Sequence, residues 1–519
     1  MNVVFRADAS ELIGHGHVRR TLTLAKKLRA SGATIEFVSR GYPGNLCDFI
    51  EENGFPVSRL PAPIGSSLSW QEDAELTRAA MEKRSSPTDW LVVDHYDLDH
   101  RWESALRQSA RRIMVIDDLA NRKHDCDLLL DQNLVAGLEQ RYTGKVPADS
   151  GLLLGPAYAL LEAAYAELHD RARPRQGPVR RILISFGGVD ADNLCARSLP
   201  AFTSLNRSDI EVEIAIGESS PHLAVLRKLA APHRNVRVHA GATSLAPLLS
   251  EADLAIGAAG TTTWERLCLG VPSLVVTVAP NQEPVAAELN RLGLIRLVGD
   301  KRDALDSSIA SALEQVVQTG LDESWSKGCL AMVDGRGTDR VAAALSVLAA
   351  TALKARLSTL DDEALLLEWA NDPATRSNAF SPGQIAAATH TVWFRQRLGN
   401  TSRCRLYIVE TADGIPIGMV RFERSGDEWE VHYSVAQVFR GRGLGRPVLA
   451  AGLADLAAEM HDATVFGQVK ENNHASRKVF ESLAFTEISR SRDGVVVYRG
   501  RADSKRPLDE SVNRHANRQ

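Results

Sequence analysis

The 519-residue sequence predicts an α/β fold: two Rossmann-like domains built on doubly wound parallel sheets, followed by an α+β domain. Three observations carry that expectation. Short Val/Ile/Leu runs alternate with amphipathic stretches up to about residue 345, the pattern of buried parallel strands joined by helices. A polar, proline-bearing break, "RARPRQGPVR" at 171–180, divides those runs into two sets. From about residue 352 the texture changes to successive strand-like runs separated by glycine turns.

The first set comprises "NVVFRAD" (2–8), "TIEFVS" (34–39), "WLVVDHY" (90–96), "RIMVIDD" (112–118) and "DLLLDQN" (127–133). The helix predicted after the first run places Val18, Leu22, Ala25 and Leu28 on one face and stops at Gly32. The second set is "RILISFGG", "EVEIAIG", "NVRVHAG", "DLAIGAAG" and "PSLVVTVAP". Residues 172–178 read as a hinge, and a ligand cleft is expected between the carboxyl ends of the two sheets. In the third part "LYIVETADGIPIGMVRFERSGDEWEVHYSVA" (406–436) predicts antiparallel strands turning at Asp413-Gly414 and Ser425-Gly426-Asp427. The expected domains are 1–171, 179–348 and 352–502, with a disordered tail over 503–519.

A net charge of −4 and a pI near 6.4 argue against nucleic acid as the main partner and leave small molecules as the default. Cys47, Cys126, Cys195, Cys268, Cys329 and Cys404 form no C-x-x-C pair and have no paired histidines nearby, so neither a metal site nor a disulfide framework is expected. The opening "MNVVFRADAS" lacks the features of a secretory leader, and no apolar run reaches the roughly 18 residues needed to cross a bilayer. A cytoplasmic protein with no membrane partner is the simplest expectation.

Two stretches of the first two domains carry chemistry. "ELIGHGHVRR" (11–20) places Gly14 and Gly16 between a strand and a helix, with His15 and His17 at the turn. "GAAGTTTWERLCLGVPSLV" (257–275) does the same with Gly260, Thr261 and Thr262, whose amides at a helix start suit a diphosphate. Glu265, one turn on, is placed to accept from ribose hydroxyls; the bland alternative is a threonine N-cap with a solvated glutamate. The downstream "APNQE" loop, with Asn281 and Gln282, favours the nucleotide.

The Gly-Thr-Thr-Thr-Trp-Glu run with Asn281-Gln282 resembles the UDP-binding half of GT-B glycosyltransferases that add N-acetylglucosamine to a lipid-linked peptidoglycan precursor. "FRADASELIGHGHVRR", "VVDHY", "GPAYALL", "SFGGVDADNL" and "NQE" further resemble the UDP-2,4-diacetamido-2,4,6-trideoxy-β-L-altropyranose hydrolases of bacterial pseudaminic acid synthesis, over about residues 1–345. The resemblance implies two Rossmann-like domains in a GT-B arrangement and makes His17 the general base. A helix N-terminus disfavours imidazolium, so a neutral His17 there can deprotonate water. Tyr96 then matches a cleft tyrosine contacting the sugar, with His95 and Asp94 as weaker neighbours, and His15 is assigned to the turn. Arg6 and Asp8 are expected at the substrate side as braces of the glycine turn, and Arg19 and Arg20 read equally well as solvated charges. The rival reading is a GT-B UDP-sugar glycosyltransferase with a degenerate acetyl-CoA-binding module, against which the absence of a basic amphipathic patch counts.

In the third domain Arg440, Arg442, Gly443, Gly445 and Arg446 form a glycine loop with positive charge at a helix start, suited to a pyrophosphate. With "VKENNHASRKVFESLAF" (469–485), carrying Asn473 and Ser476, and "LLLEWANDPATRSNAF" (365–380), the loop resembles GCN5-related N-acetyltransferases (GNAT). The resemblance implies acetyl-CoA as cosubstrate, and no metal is expected. Glu430, His432 and Ser434 alternate on one strand face, so Glu430 or His432 is the candidate base, weighed against a plain polar face. Phe480 departs from the family, which commonly has a tyrosine there as acid for the leaving thiolate. Together the resemblances imply a bifunctional enzyme that acetylates the 4-amine of a UDP-linked amino sugar and cleaves the diacetamido product to UDP and free sugar, with pathway enzymes as further partners.

Overall fold

The computed structural model describes residues 1–503 except 12, 63–68, 85, 148–149, 303–304, 350–352, 412–413, 441–443 and 492. The chain forms two compact units, Met1–Ala342 and Ala343–Gln519. Of the tail expected over 503–519, only Asp503 lies among the described residues.

The first unit contains two all-parallel sheets. One holds β1 (Asn2–Ala7), β2 (Thr34–Arg40), β3 (Val57–Leu60), β4 (Thr88–Asp94), β5 (Ala110–Ile116), β6 (Leu128–Asp131) and β7 (Gly151–Leu154), in the order β3-β2-β1-β4-β5-β6-β7. The other holds β8 (Arg181–Ser185), β9 (Glu211–Ile216), β10 (Val236–Ala240), β11 (Leu254–Ala258), β12 (Ser273–Thr277) and β13 (Arg296–Asp300), in the order β10-β9-β8-β11-β12-β13. Helices cover both faces, which is why central strands such as "VVF" and "LLL" are continuously apolar and fully buried. Strands β3, β7 and β13 escape the sequence pattern because they are short or mix charges into the run, as in "VSRL" and "RLVGD".

In each sheet the strand order reverses once, between β1 and β4 and between β8 and β11. An open α/β sheet binds its ligand in the crevice at such a reversal, outside the carboxyl ends of the strands. The chain places Asp8, Asp94 and Tyr96 at one reversal and Gly187, Gly188 and Gly260 at the other.

The stretch expected to be a hinge is held along the side of the second sheet's half. Arg175 donates to the carbonyls of Leu249, Ser250, Ala252 and Leu269, satisfying the end of the helix Ala246–Glu251. Gly177 and Leu321 exchange backbone hydrogen bonds at 3.0 and 2.7 Å.

The second unit is built on β14 (Leu353–Leu357), β15 (Cys404–Thr411), β16 (Pro416–Ser425), β17 (Glu428–Val435), β18 (Thr464–Lys470), β19 (Thr486–Arg490) and β20 (Val495–Arg501), in the order β14-β15-β16-β17-β18-β20-β19. Every pairing is antiparallel except β17 with β18, which are joined in parallel only at Trp429–Val465 and Glu430–Phe466. Beyond that point the two strands part, and the helices Gly445–Glu459 and His474–Ser482 begin on either side of the gap in sequence order.

All six cysteines are free and buried. Among the described residues no helix is long and apolar enough to cross a membrane, and no three His, Cys, Asp or Glu side chains are grouped to hold a metal ion.

Candidate active sites

In the first unit the site begins at the carboxyl end of β1. Gly14 has φ +81° and donates its amide to the carbonyl of Ser10 at 2.8 Å, a left-handed turn that a side chain would strain. The turn delivers Gly16 as the first residue of the helix Gly16–Ala30, so His17 sits in its first turn. His17 Nδ1 lies 2.5 Å from Asp94 Oδ1 at the end of β4. Arg20, three residues along the same helix face, grips Asp94 with Nε and Nη2, both at 2.6 Å, and reaches Asp118 Oδ2 at 3.0 Å with Nη1.

Burial alone pushes the Asp94 carboxyl up, but Arg20 and then His17 outweigh it and hold it well below the usual carboxylate range. A permanent carboxylate at Nδ1 makes that nitrogen the donor, so that of the two neutral tautomers it selects the one whose acceptor is Nε2. The ring of Tyr96 meets His17 edge-on at 4.5 Å. The Tyr96 hydroxyl donates to Asp118 Oδ2 at 3.4 Å and accepts from Asn281 Nδ2 at 3.4 Å. Tyr96, beside His17 at the first sheet, therefore meets Asn281 at the second.

The remaining second-sheet residues gather nearby. A Cβ built on Gly260 would lie 3.9 Å from Gln282 Nε2, while Gln282 Oε1 accepts from the amide of Val278 at 3.1 Å. Thr261 is exposed and makes no capping bond, so the plain N-cap alternative does not hold. Thr262 is half-buried, and its hydroxyl accepts from Arg266 at 3.2 Å, which leaves its own hydrogen to donate elsewhere. Burial raises the Glu265 carboxyl to about 7, against the opposing pull of the Tyr165 hydroxyl and Arg266. His15, assigned to the turn, reaches across: a Cβ on Gly188 would stand 3.7 Å from its Nδ1.

Two expectations are corrected. Arg6 and Asp8 do not face a substrate: Arg6 is 0% exposed and bridges Asp8 and Asp73, while Asp8, 1% exposed, also accepts from the amide of Arg40 at 2.8 Å. With Arg40, which also reaches Asp73, they tie the ends of β1 and β2 to the helix Trp70–Glu82. Nor is Arg20 a solvated charge; it is 5% exposed and tied to two carboxylates. Sequence reasoning missed the Asp94–His17–Arg20 triplet and Asp118. The i, i+3 spacing of His17 and Arg20 was the available signal, whereas their carboxylate partners lie 74 and 98 positions away from Arg20.

In the second unit Glu430, His432 and Ser434 stand opposite Glu423, Arg421 and Met419 of β16. Glu423 is paired with Arg397 Nε at 2.7 Å and Arg421 Nε at 3.2 Å. His432 Nε2 is 3.7 Å from Glu430 Oε1. Burial, then Arg421, lowers His432 to about 4, whereas burial, then Glu423, raises Glu430.

Residues 353–486 match the acetyltransferase (GNAT) domain family. Over 294 residues, 56% of the chain and 97% of the relative, the sequence is 29% identical to UDP-2,4-diacetamido-2,4,6-trideoxy-beta-L-altropyranose hydrolase of Campylobacter jejuni. It is 22% identical over 511 residues, 96% of the chain and 99% of the relative, to an uncharacterised protein of Methanocaldococcus jannaschii. Among solved structures, MurG of Acinetobacter baumannii aligns with 66% of the chain and 98% of its own at 16% identity and a TM-score of 0.47. The chain joins a region similar to that hydrolase to a GNAT domain.

Within the GNAT domain the residues expected to hold the cofactor divide. Arg442 and Gly443 lie outside the described residues. Arg440 is a correction: it donates to the carbonyl of Val435 at 2.9 Å and to Thr375 Oγ1 at 2.7 Å and pairs with Asp372, so it anchors the loop instead of offering its charge. Gly445 opens the 15-residue helix Gly445–Glu459, where a Cβ would come within 2.9 Å of Val479, so packing also demands glycine there. Arg446, in the first turn, is exposed. Asn473 caps the helix His474–Ser482 by accepting from the amide of Ser476 at 3.1 Å, and Tyr433 donates to Ser476 Oγ at 3.1 Å. Phe480 is buried and stacked on Tyr498 at 5.4 Å.

Proposed function

We propose that the chain is a bifunctional nucleotide-sugar enzyme of pseudaminic acid synthesis. Its first unit hydrolyses UDP-2,4-diacetamido-2,4,6-trideoxy-β-L-altropyranose to UDP and free sugar, and its second transfers an acetyl group from acetyl-CoA to the 4-amine of the preceding UDP-amino sugar. The observation that carries the hydrolase reading is the His17–Asp94 pair, edge-on to Tyr96 and joined through it to Asn281 of the second sheet. Similarity to the Campylobacter hydrolase over the same region supports it.

In this reading His17 Nε2 takes a proton from water while Asp94 holds Nδ1–H and offsets the imidazolium that forms. The water oxygen bonds to the anomeric carbon as the bond from that carbon to the UDP oxygen breaks. The leaving diphosphate is received by the amides around Gly260, Thr261 and Thr262 and by the Thr262 hydroxyl, and Glu265 accepts from the ribose. Tyr96 and Asn281 contact the sugar, with Gln282 shaping the loop beside Gly260.

For the acetyltransferase, the parting of β17 and β18 beside the starts of the helices Gly445–Glu459 and His474–Ser482 fits an extended thioester. Backbone of β17, the amides at Gly445, Arg446, and the capped turn at Asn473 and Ser476 would hold it. Acetyl-CoA supplies the activated acetyl group, and Glu430 removes the proton of the amine.

The test is mass spectrometry of products formed from the UDP-diacetamido sugar in H₂¹⁸O. One ¹⁸O at the anomeric carbon of the free sugar, with turnover lost by about 10³-fold in His17→Ala, is the expected outcome. UDP release without water-derived oxygen on the sugar would reject hydrolysis in favour of transfer.

A further inference from the structure

We propose that Glu423 is a positioning residue of the acetyltransferase site: an anion locked by two guanidinium groups across the sheet from Glu430, it makes Glu430, and not His432, the acceptor of the ammonium proton. The inference rests on the acetyl-transfer reading above.

The register places Glu423 directly opposite Glu430 and Arg421 directly opposite His432. Side chains so paired stand about 5 Å apart at Cβ, and like charges there oppose each other. The two carboxylates are not equivalent. Glu423 has Arg397 at 2.7 Å and Arg421 at 3.2 Å, which together overcome its burial and keep it ionised. Among the described residues Glu430 is paired with no guanidinium; its near neighbour is His432 at 3.7 Å. A proton arriving between the pair therefore settles on Glu430.

The other groups around it reinforce this. On its own strand, Glu428 is neutralised by Arg499 of β20 at 3.1 Å, and the β18 residue in register is the uncharged Phe466. From the helix Ala387–Leu398, Trp393 sits under both Arg397 and Arg421, at 4.6 and 5.1 Å, fixing the cations that fix Glu423. Burial, and then Arg421 opposite it, disfavour an imidazolium at His432, which falls to about 4, while burial and then Glu423 push Glu430 up from 4.5. Glu430 and His432 keep 24% and 38% of their side chains exposed, so a substrate amine can reach them.

The step balances without a further reagent. Glu430 takes a proton from the substrate ammonium, the freed nitrogen bonds to the acetyl carbon, and the carbon–sulfur bond breaks. The nitrogen sheds its second proton to the departing thiolate by way of solvent, leaving a neutral amide and a free thiol, and Glu430 returns its own proton to solvent.

The experiment uses the full chain with acetyl-CoA and the UDP-4-amino-4,6-dideoxy sugar, reading thiol release against pH for wild type, Glu423→Gln and Glu430→Gln. Glu430→Gln should lose about 10²-fold in kcat with KM for acetyl-CoA unchanged. Glu423→Gln should keep activity at high pH and move the acidic limb of kcat/KM down by about one unit. If Glu430→Gln is inactive but the Glu423→Gln profile superimposes on wild type, the inference falls and the acetyltransferase reading stands. If Glu430→Gln retains full kcat, both the base assignment and the inference fall. Should the wild type release no thiol, the acetyl-transfer reading fails, and ¹³C titration of labelled glutamate carboxyls decides the rest. A resonance missing in Glu430→Gln that titrates above an ordinary glutamate, and drops in Glu423→Gln, supports the pairing; one at or below the ordinary value overturns it.

Discussion

Around His17 the charges are sealed: Asp94 has no exposed side-chain surface, Arg20 keeps 5%, and each contact is a short hydrogen bond. Around Glu430 the charges are half in water, the side chains of Arg421, Glu423, Glu430 and His432 keeping between 17% and 38% of their surface. The difference teaches what each site tolerates. A sealed network leaves a bare charge when one member goes, whereas a wet cluster is retuned. The largest effect is therefore expected from Asp94→Asn, which keeps the shape but frees the tautomer of His17 and strips Arg20 of its main partner. Turnover of the UDP sugar should fall on the order of 10³-fold, and stability by about 3 kcal/mol, read by steady-state kinetics and denaturant unfolding. A variant within fivefold of wild type would break the comparison.

The same contrast explains what was legible in the sequence. His17 and the glycine turn are contiguous, so a strand–turn–helix reading found them; Asp94 and Asp118 join His17 and Arg20 only because β4 lies beside β1, and β5 beside β4, at the crevice. Arg6 and Arg440 were misassigned for a related reason. A cation near a glycine turn reads as a ligand group until the structure shows the carboxylate it serves, Asp73 for the one and Asp372 for the other. The alternation Glu430, His432, Ser434 was readable because strand periodicity is local, while their counterparts on β16 required the hairpin register. The sealed network was thus hidden and the wet cluster half visible.

Glu265 sharpens the comparison from the nucleotide side, since it is a buried carboxyl with no cation bound to it as Arg20 binds Asp94. Its folded value of about 7 exceeds the 4.5 of a free glutamate. The folded chain therefore retains a proton between those values that the unfolded chain has lost. The stabilisation is complete below 4.5 and is lost as pH rises through 7. UDP binding should run the other way, because ribose hydroxyls donate to the ionised form; affinity should weaken about tenfold per unit below 7. Calorimetric UDP titrations and thermal unfolding across this range should show the opposite slopes in wild type and neither in Glu265→Gln.

A smaller effect is expected at Phe480. A Cβ on Gly467 would collide with the Phe480 Cζ, so the ring tip abuts the backbone of β18 with no room for a hydroxyl. Phe480→Tyr should therefore cost about 1–3 kcal/mol in unfolding without raising acetyl transfer. A gain in thiol release with unchanged stability would show that the missing tyrosine had limited the reaction.

The smallest effect should come from Asn281→Ala. Its bond to the Tyr96 hydroxyl is long, at 3.4 Å, and Tyr96 keeps Asp118 as an acceptor at the same distance. Neither group is left as a bare charge, so stability should change by no more than about 1 kcal/mol. Asn281 nonetheless joins the two sheets beside His17, and its loss should act on the sugar and not on the nucleotide. KM for the UDP sugar should rise several-fold while the affinity for UDP alone is unchanged. Equal weakening of both would place Asn281 on the diphosphate and move the sugar pocket elsewhere along the crevice.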